Sequence, residues 1–121
     1  MKIVIQGTRN FKDYEIFLTG MRYVIERREP TDTQLTFYAA GPANINAMLL
    51  GFINITENTM KSNGVRAKIV RLPHSEIQKK LPEVDKFLFF CLPKEPGTNL
   101  VKYFQDKDPE KSSDFVTNWR F

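Results

Sequence analysis

The sequence predicts a single α/β domain in which helices cover a mostly parallel sheet of about five strands, arranged in three layers. Segments rich in β-forming residues alternate along the sequence with segments whose apolar residues recur every three or four positions. Six successive apolar residues from Phe87 to Leu92 are typical of a strand that is buried on both faces. The 121 residues suit one domain, so residues 1–121 are interpreted as one unit.

Two strand-and-helix units make up the first half of the sequence. The first helix ends before Pro30, because proline lacks the amide hydrogen that a helix interior requires. The second helix ends at Asn63-Gly64, since glycine readily adopts the left-handed conformation that follows many helices. The predicted strands are Lys2 to Gln6 and Gln34 to Ala39, and the predicted helices are Asp13 to about Arg27 and Ile45 to about Ser62.

The same alternation continues in the second half. A short helix is predicted between Pro73 and Pro82, and the fully apolar strand that follows is expected to be the central strand of the sheet. Parallel neighbours need crossover connections, and helical crossovers would cover both faces. The predicted segments are a strand from Arg66 to Leu72, a helix from Ser75 to Leu81, a strand from Val84 to Leu92, a helix from about Asn99 to Gln105, and a final segment from Asp114 to Phe121.

The second helix is apolar around most of its circumference. Its apolar residues are Ala47, Met48, Leu49, Leu50, Phe52, Ile53 and Ile55. A helix that covers one face of a sheet needs only one apolar stripe, and Leu50 does not share the stripe of Phe52 and Ile53. The additional apolar face predicts a homodimer formed through this helix.

Composition excludes several classes of site and partner. One cysteine, Cys91, and one histidine, His74, allow neither an intrachain disulfide nor a zinc site built from cysteine and histidine, so no metal or cofactor is expected. The net charge of +4 is spread along the sequence and not concentrated in one segment, so a nucleic acid is not the expected partner. No apolar run is long enough to cross a bilayer and no secretory signal is evident, so a cytoplasmic protein without a membrane partner is expected.

Four predicted loops leave the strands at the edge where parallel α/β sheets bind ligands. The first, Gly7-Thr8-Arg9, combines a backbone amide, a hydroxyl and a guanidinium, which together suit an anion. The alternative interpretation is that glycines form turns and the polar residues cap helices, which is their commoner use. The polar or glycine residues of interest in the other loops are Gly41, Asn44, Asn46, Glu95, Gly97 and Thr98.

Two of these loops carry a family resemblance. The sequence resembles the SLOG superfamily in three short motifs. They are the strand that ends in Gly7-Thr8-Arg9, the following Asn10-Phe11-Lys12-Asp13-Tyr14, and Gly97-Thr98 after an apolar strand. This superfamily of Rossmann-like nucleotide-ligand domains includes DprA, the LOG phosphoribohydrolases and the YAcAr-like domains. The resemblance extends over nearly the whole sequence and implies a Rossmann-like fold that binds a nucleotide.

The sequence departs from that family at two places. In the second loop, Pro42 removes an amide donor and Asn44 stands at a glycine position, so ligand binding is expected to differ. Three residues after Thr98, Val101 replaces the glutamate that the LOG motif places for catalysis. Because valine neither stabilises a cationic sugar nor moves a proton, LOG-type hydrolysis is not expected.

The leading expectation is a small module that binds a nucleotide or a nucleotide-derived ligand without hydrolysing it. Arg9 would pair with phosphate, Gly7, Thr8, Gly97 and Thr98 would supply amides and hydroxyls, and Gly41, Asn44 and Asn46 would contact the sugar or base. One alternative is a hydrolase of an N-glycosidic or phosphate bond that uses Glu95 as the acid. Another is a protein-interaction factor of a phage or mobile element, an inhibitor or sensor that retains the fold with a modified pocket.

Overall fold

The computed structural model describes residues 1–91 and 116–120. The predicted helix from Asn99 to Gln105 lies outside these residues. The described elements are β1 (Lys2–Gly7), α1 (Tyr14–Glu26), β2 (Gln34–Ala39), α2 (Ala43–Ser62), β3 (Arg66–Arg71), α3 (His74–Lys80), a short 3-10 helix (Leu81–Glu83), β4 (Lys86–Cys91) and β5 (Val116–Arg120).

The sheet is parallel throughout, and its strand order is β3-β2-β1-β4-β5. The predicted α/β class with a parallel sheet is therefore confirmed. The prediction of β4 as the central strand is wrong, because β1 occupies the middle position and β4 lies between β1 and β5. The apolar run of β1 is short because the polar Gln6 and then Gly7 follow it. The sequence pattern therefore does not indicate that β1 is buried along almost its full length.

The two long helices pack on the same face of the sheet. The chain moves from β1 to β2 to β3 in one direction, and right-handed crossovers then place both connecting helices on one side. Their apolar residues form one cluster with alternate residues of the strands, including Ile3, Phe37 and Phe90. The other residues of the same strands, such as Val4 and Phe89, form a second cluster on the opposite face.

Phenylalanine rings fill the space between α1 and the sheet. The Phe17 ring centroid lies 4.7 Å from that of Phe90 and 6.5 Å from that of Phe52, so one side chain joins α1 to β4 and to α2. Phe11 packs on Phe90 from the loop before α1, with ring centroids 5.6 Å apart. The loop after β1 is thus anchored in the same core as the helix that it precedes.

No helix within residues 1–91 combines the length and the apolar character that crossing a membrane requires, and residues 116–120 form a strand.

Candidate functional site

The carboxyl ends of the first four strands meet at one edge of the sheet, as the sequence analysis predicted for a parallel sheet. The register pairs Gly7 of β1 with Phe90 of β4, and Ile5 of β1 with Ala39 at the end of β2. The loops that follow β1 and β2 are therefore neighbours. Six of the nine predicted site residues lie in these two loops or at the ends of the elements that they join, while Glu95, Gly97 and Thr98 lie outside the described residues.

Gly7 is required by packing between β1, β4 and α2. A Cβ atom on Gly7 would collide with the carbonyl oxygen of Phe90 and would lie 2.8 Å from Cδ1 of Ile45. The backbone continues in close contact with β4, since the Thr8 amide donates to the same Phe90 oxygen over 2.9 Å. Glycine thus permits the close approach of two strands and a helix.

Asn44 connects the loop after β1 to the first turn of α2. Its side-chain amide nitrogen donates to the carbonyl oxygen of Thr8 over 3.0 Å and to that of Phe11 over 2.8 Å. Both bonds join residues more than thirty positions apart in the sequence. The loop that contains Arg9 is therefore held at a fixed place relative to the amino end of α2.

Asn46 and Gly41 shape the second loop. The Asn46 carboxamide oxygen accepts a hydrogen bond from the Gly41 amide over 3.0 Å. Gly41 has a φ of 86°, in the left-handed region where a side chain would be strained, and the bond to Pro42 is cis. Within the described part of the chain, Asn44 Oδ1 and Asn46 Nδ2 have no hydrogen-bond partner.

The amino ends of α1 and α2 differ in a way that matters for anions. The Asp13 carboxylate caps α1 and accepts from the Ile16 amide over 3.0 Å, so a negative charge already occupies this end. In α2 the cap position is Pro42, which makes no side-chain hydrogen bond, and the first turn contains no acidic residue. The positive end of the α2 dipole therefore has no carboxylate against it.

Arg9 and Thr8 occupy contrasting positions in the loop. Thr8 is only 8% exposed, whereas Arg9 is exposed at the tip and forms no ion pair with any of the residues that the structure describes. Because Asn44 fixes this loop next to α2, the free guanidinium and the uncapped helix end belong to one edge of the molecule. Both features favour an anion.

Gln6 lies beside this site, although no motif in the sequence marks it. This side chain is 1% exposed, next to the carboxyl edge and on the same strand as Gly7. The signal in the sequence is a polar residue that continues an apolar strand, since a buried carboxamide must find hydrogen-bond partners. Among residues 1–91 and 116–120, no three histidine, cysteine, aspartate or glutamate side chains are grouped closely enough to hold a metal ion.

Comparison of the chain with protein-family models, with curated proteins and with solved structures finds no match. The resemblance to the SLOG superfamily therefore stays a prediction that rests on the short motifs described above.

Replacing Gly7 with Ala is expected to lower the free energy of unfolding by about 1–3 kcal/mol, because the new methyl group forces β1 away from β4 and from Ile45. Urea denaturation of dilute protein measures the change. Gly51 provides a matched control, because a Cβ atom there meets nothing within 4 Å. Gly51→Ala should raise stability by about 0.5–1 kcal/mol, since alanine favours the helix. Equal effects of the two substitutions would contradict the packing role of Gly7.

Replacing Asn44 with Ala is expected to lower the free energy of unfolding by about 1–3 kcal/mol, since the Phe11 carbonyl loses its donor. Hydrogen exchange should also increase at the amides of the loop from Thr8 to Lys12. Asn54 is an exposed asparagine of the same helix without such bonds, so Asn54→Ala serves as the control. Unchanged loop exchange in Asn44→Ala would show that other contacts hold the loop.

Proposed function

We propose that the chain is a three-layer, Rossmann-like module that binds a nucleotide or a nucleotide-derived ligand at the carboxyl edge of its sheet. One observation carries this proposal: Asn44 holds the Thr8-Arg9 loop against an α2 amino end that has no carboxylate cap. An anion at this place meets a helix dipole, free backbone amides and a guanidinium at once.

The phosphate is the part of the ligand for which the described residues are best suited. Amides of Ala43 and Asn44 in the first turn of α2 are available as donors, because the helix leaves its first amides without intrahelical partners. Arg9 adds a charge-assisted hydrogen bond from the neighbouring loop. The first turn of α1 is the poorer phosphate site, since the Asp13 carboxylate would repel the ligand there.

The sugar or base would lie beside the second loop. Asn44 Oδ1 can accept a hydrogen bond and Asn46 Nδ2 can donate one, while the opposite atom of each carboxamide holds the protein backbone. The fixed carboxamides therefore offer one acceptor and one donor in set positions. Glu95, Gly97 and Thr98, which the sequence also predicts as ligand contacts, lie outside the described residues.

Binding without LOG-type hydrolysis is part of the proposal. Cleavage of the bond between base and ribose develops positive charge on the sugar, which a carboxylate must stabilise. Val101 stands at the position where the family resemblance places that carboxylate. A nucleotide would then be held as a signal or effector.

Replacing Arg9 with Ala should abolish the thermal stabilisation that a panel of nucleoside phosphates gives the wild type, and leave the melting temperature of the free protein nearly unchanged. At a ligand concentration about a hundred times Kd, the wild type gains about 2.7 kcal/mol, a shift that thermal scanning detects readily. Arg66→Ala removes another exposed arginine, at the amino end of β3, and should keep the full shift. A shift that survives in Arg9→Ala would contradict the proposal.

We also propose that the chain forms a homodimer through α2. The helix has no charged residue from Ala43 to Thr56, and its two charges, Glu57 and Lys61, pair with each other over 3.1 Å. Leu50 is 48% exposed on this helix, although Phe52 and Ile53 are buried. Depletion of charge around exposed apolar side chains is a feature of interface cores.

Replacing Leu50 with Lys should shift the sedimentation coefficient toward that of the monomer, because the charge would be buried without a partner at the dimer interface. Thr19→Lys places the same charge on the exposed face of α1 and should leave the dimer intact. A wild-type protein that sediments as a monomer at high concentration would refute the homodimer.

A further inference from the structure

A groove runs along α1 and α2, between the two helices. It encloses a volume of about 420 Å³, within the range of small-molecule sites, about 300–1,000 Å³. Its wall is mainly apolar. The apolar side chains that line it are Tyr14, Leu18, Ile25, Phe52, Ile55, Met60 and Val65.

Apolar surface at this groove is left in contact with solvent. Tyr14 is 36% exposed and Ile55 is 74% exposed, and both border the groove. Apart from Leu50, they are the large apolar residues that the described part of the chain exposes to this degree. Clustered apolar exposure around a concave surface marks a binding site more specifically than scattered exposure does.

The groove is cationic toward the carboxyl end of α1. Arg22 and Arg28 line it together with one carboxylate, Glu26. Within residues 1–91 and 116–120, neither arginine forms an ion pair with a carboxylate. The wall therefore combines a long apolar stretch with two guanidinium groups that have no anionic partner.

Arg28 borders the groove and also holds the carboxyl end of α1. Its Nη1 donates to the Ile25 carbonyl oxygen over 2.9 Å, which satisfies an acceptor at the end of α1. Its Nε is buried and has no hydrogen-bond partner. Because this Nε is shielded from solvent, an oxyanion in the groove would reach Arg28 through the remaining Nη donors of the guanidinium.

We propose that this groove binds a small amphipathic carboxylate, with a hydrocarbon body between α1 and α2 and the carboxylate at Arg28 and Arg22. The apolar stripe from Tyr14 to Ile25 extends over about 17 Å of helix, which suits a medium-length hydrocarbon chain. A carboxylate matches the guanidinium geometry and needs few other donors. The cationic end of the groove lies at the carboxyl end of α1, whereas the proposed nucleotide site lies at the amino end of α2.

The experiment compares three ligands with the same ten-carbon chain: decanoate, decanol and decyltrimethylammonium. Each is titrated below its micelle concentration into the wild-type protein, and amide NMR follows residues 14–28 and 52–65. Decanoate should give saturable shifts at both helices, decanol weaker ones, and the cation the weakest. Arg28→Met and Arg22→Met should each raise the decanoate Kd about tenfold, as expected for the loss of a charge-assisted hydrogen bond, and leave decanol binding unchanged.

Arg71→Met, an exposed arginine on β3 away from the groove, is the control and should bind decanoate like the wild type. If Arg28→Met does not fold, because Arg28 also caps α1, the Arg22 variant and the ligand series give the answer. Absence of decanoate shifts in the groove, equal affinity for all three ligands, or an unchanged Kd in the folded arginine variants would overturn the proposal. Nucleotide stabilisation is expected to persist in these variants, so the two sites are tested separately.

Discussion

One side chain fixes the relation between the first loop and the second helix. The carboxamide nitrogen of Asn44 donates to two carbonyl oxygens of the loop after β1, those of Thr8 and Phe11. The loop is also anchored to the core, since Phe11 packs on Phe90 and the Thr8 amide donates a hydrogen bond to the Phe90 carbonyl oxygen of β4. Arg9 is therefore an exposed residue on a well-anchored loop. Its position beside the amino end of α2 depends on this anchoring.

The polar groups at this edge divide between those that build the protein and those that remain for a ligand. The Asp13 carboxylate closes the amino end of α1, and one atom of each carboxamide of Asn44 and Asn46 holds backbone. Three sets of groups at this edge hold no other part of the described protein. They are the amino end of α2, the Arg9 guanidinium, and the second polar atom of each of the two carboxamides. These remaining groups include donors and a positive charge but no carboxylate, which is why the proposed ligand is anionic.

The hydrophobic pattern predicted most of the fold because helix and strand periods are local properties of the sequence. The bounds of β2 match the prediction. Helix α2 begins at Ala43, two positions before the predicted Ile45, because Pro42 rather than an asparagine occupies its cap position. The position of β1 in the middle of the sheet could not be read from its short apolar run. Strand order depends on contacts between distant segments, which periodicity does not encode.

The roles of individual loop residues were harder to predict. The sequence predicts Gly7 as a ligand contact, and the structure shows that packing against Phe90 and Ile45 alone requires a glycine there. Asn44 was identified by its place in a loop, but its bonds to Thr8 and Phe11 join segments that the sequence does not show to be adjacent. Arg9 is the residue for which the sequence and the exposed position in the structure lead to the same hypothesis.

The central claim is that the amino end of α2 binds the anionic part of a ligand, and amide NMR tests it most directly. During titration with nucleoside phosphates, the amides of Ala43 and Asn44 should shift together with those of Thr8 and Arg9, and saturate at one Kd. The amides of Glu15 and Ile16 at the start of α1 should hardly move, because Asp13 caps that helix. Saturable shifts confined to α1 or to the opposite edge of the sheet, or no shifts with any nucleotide, would contradict the account.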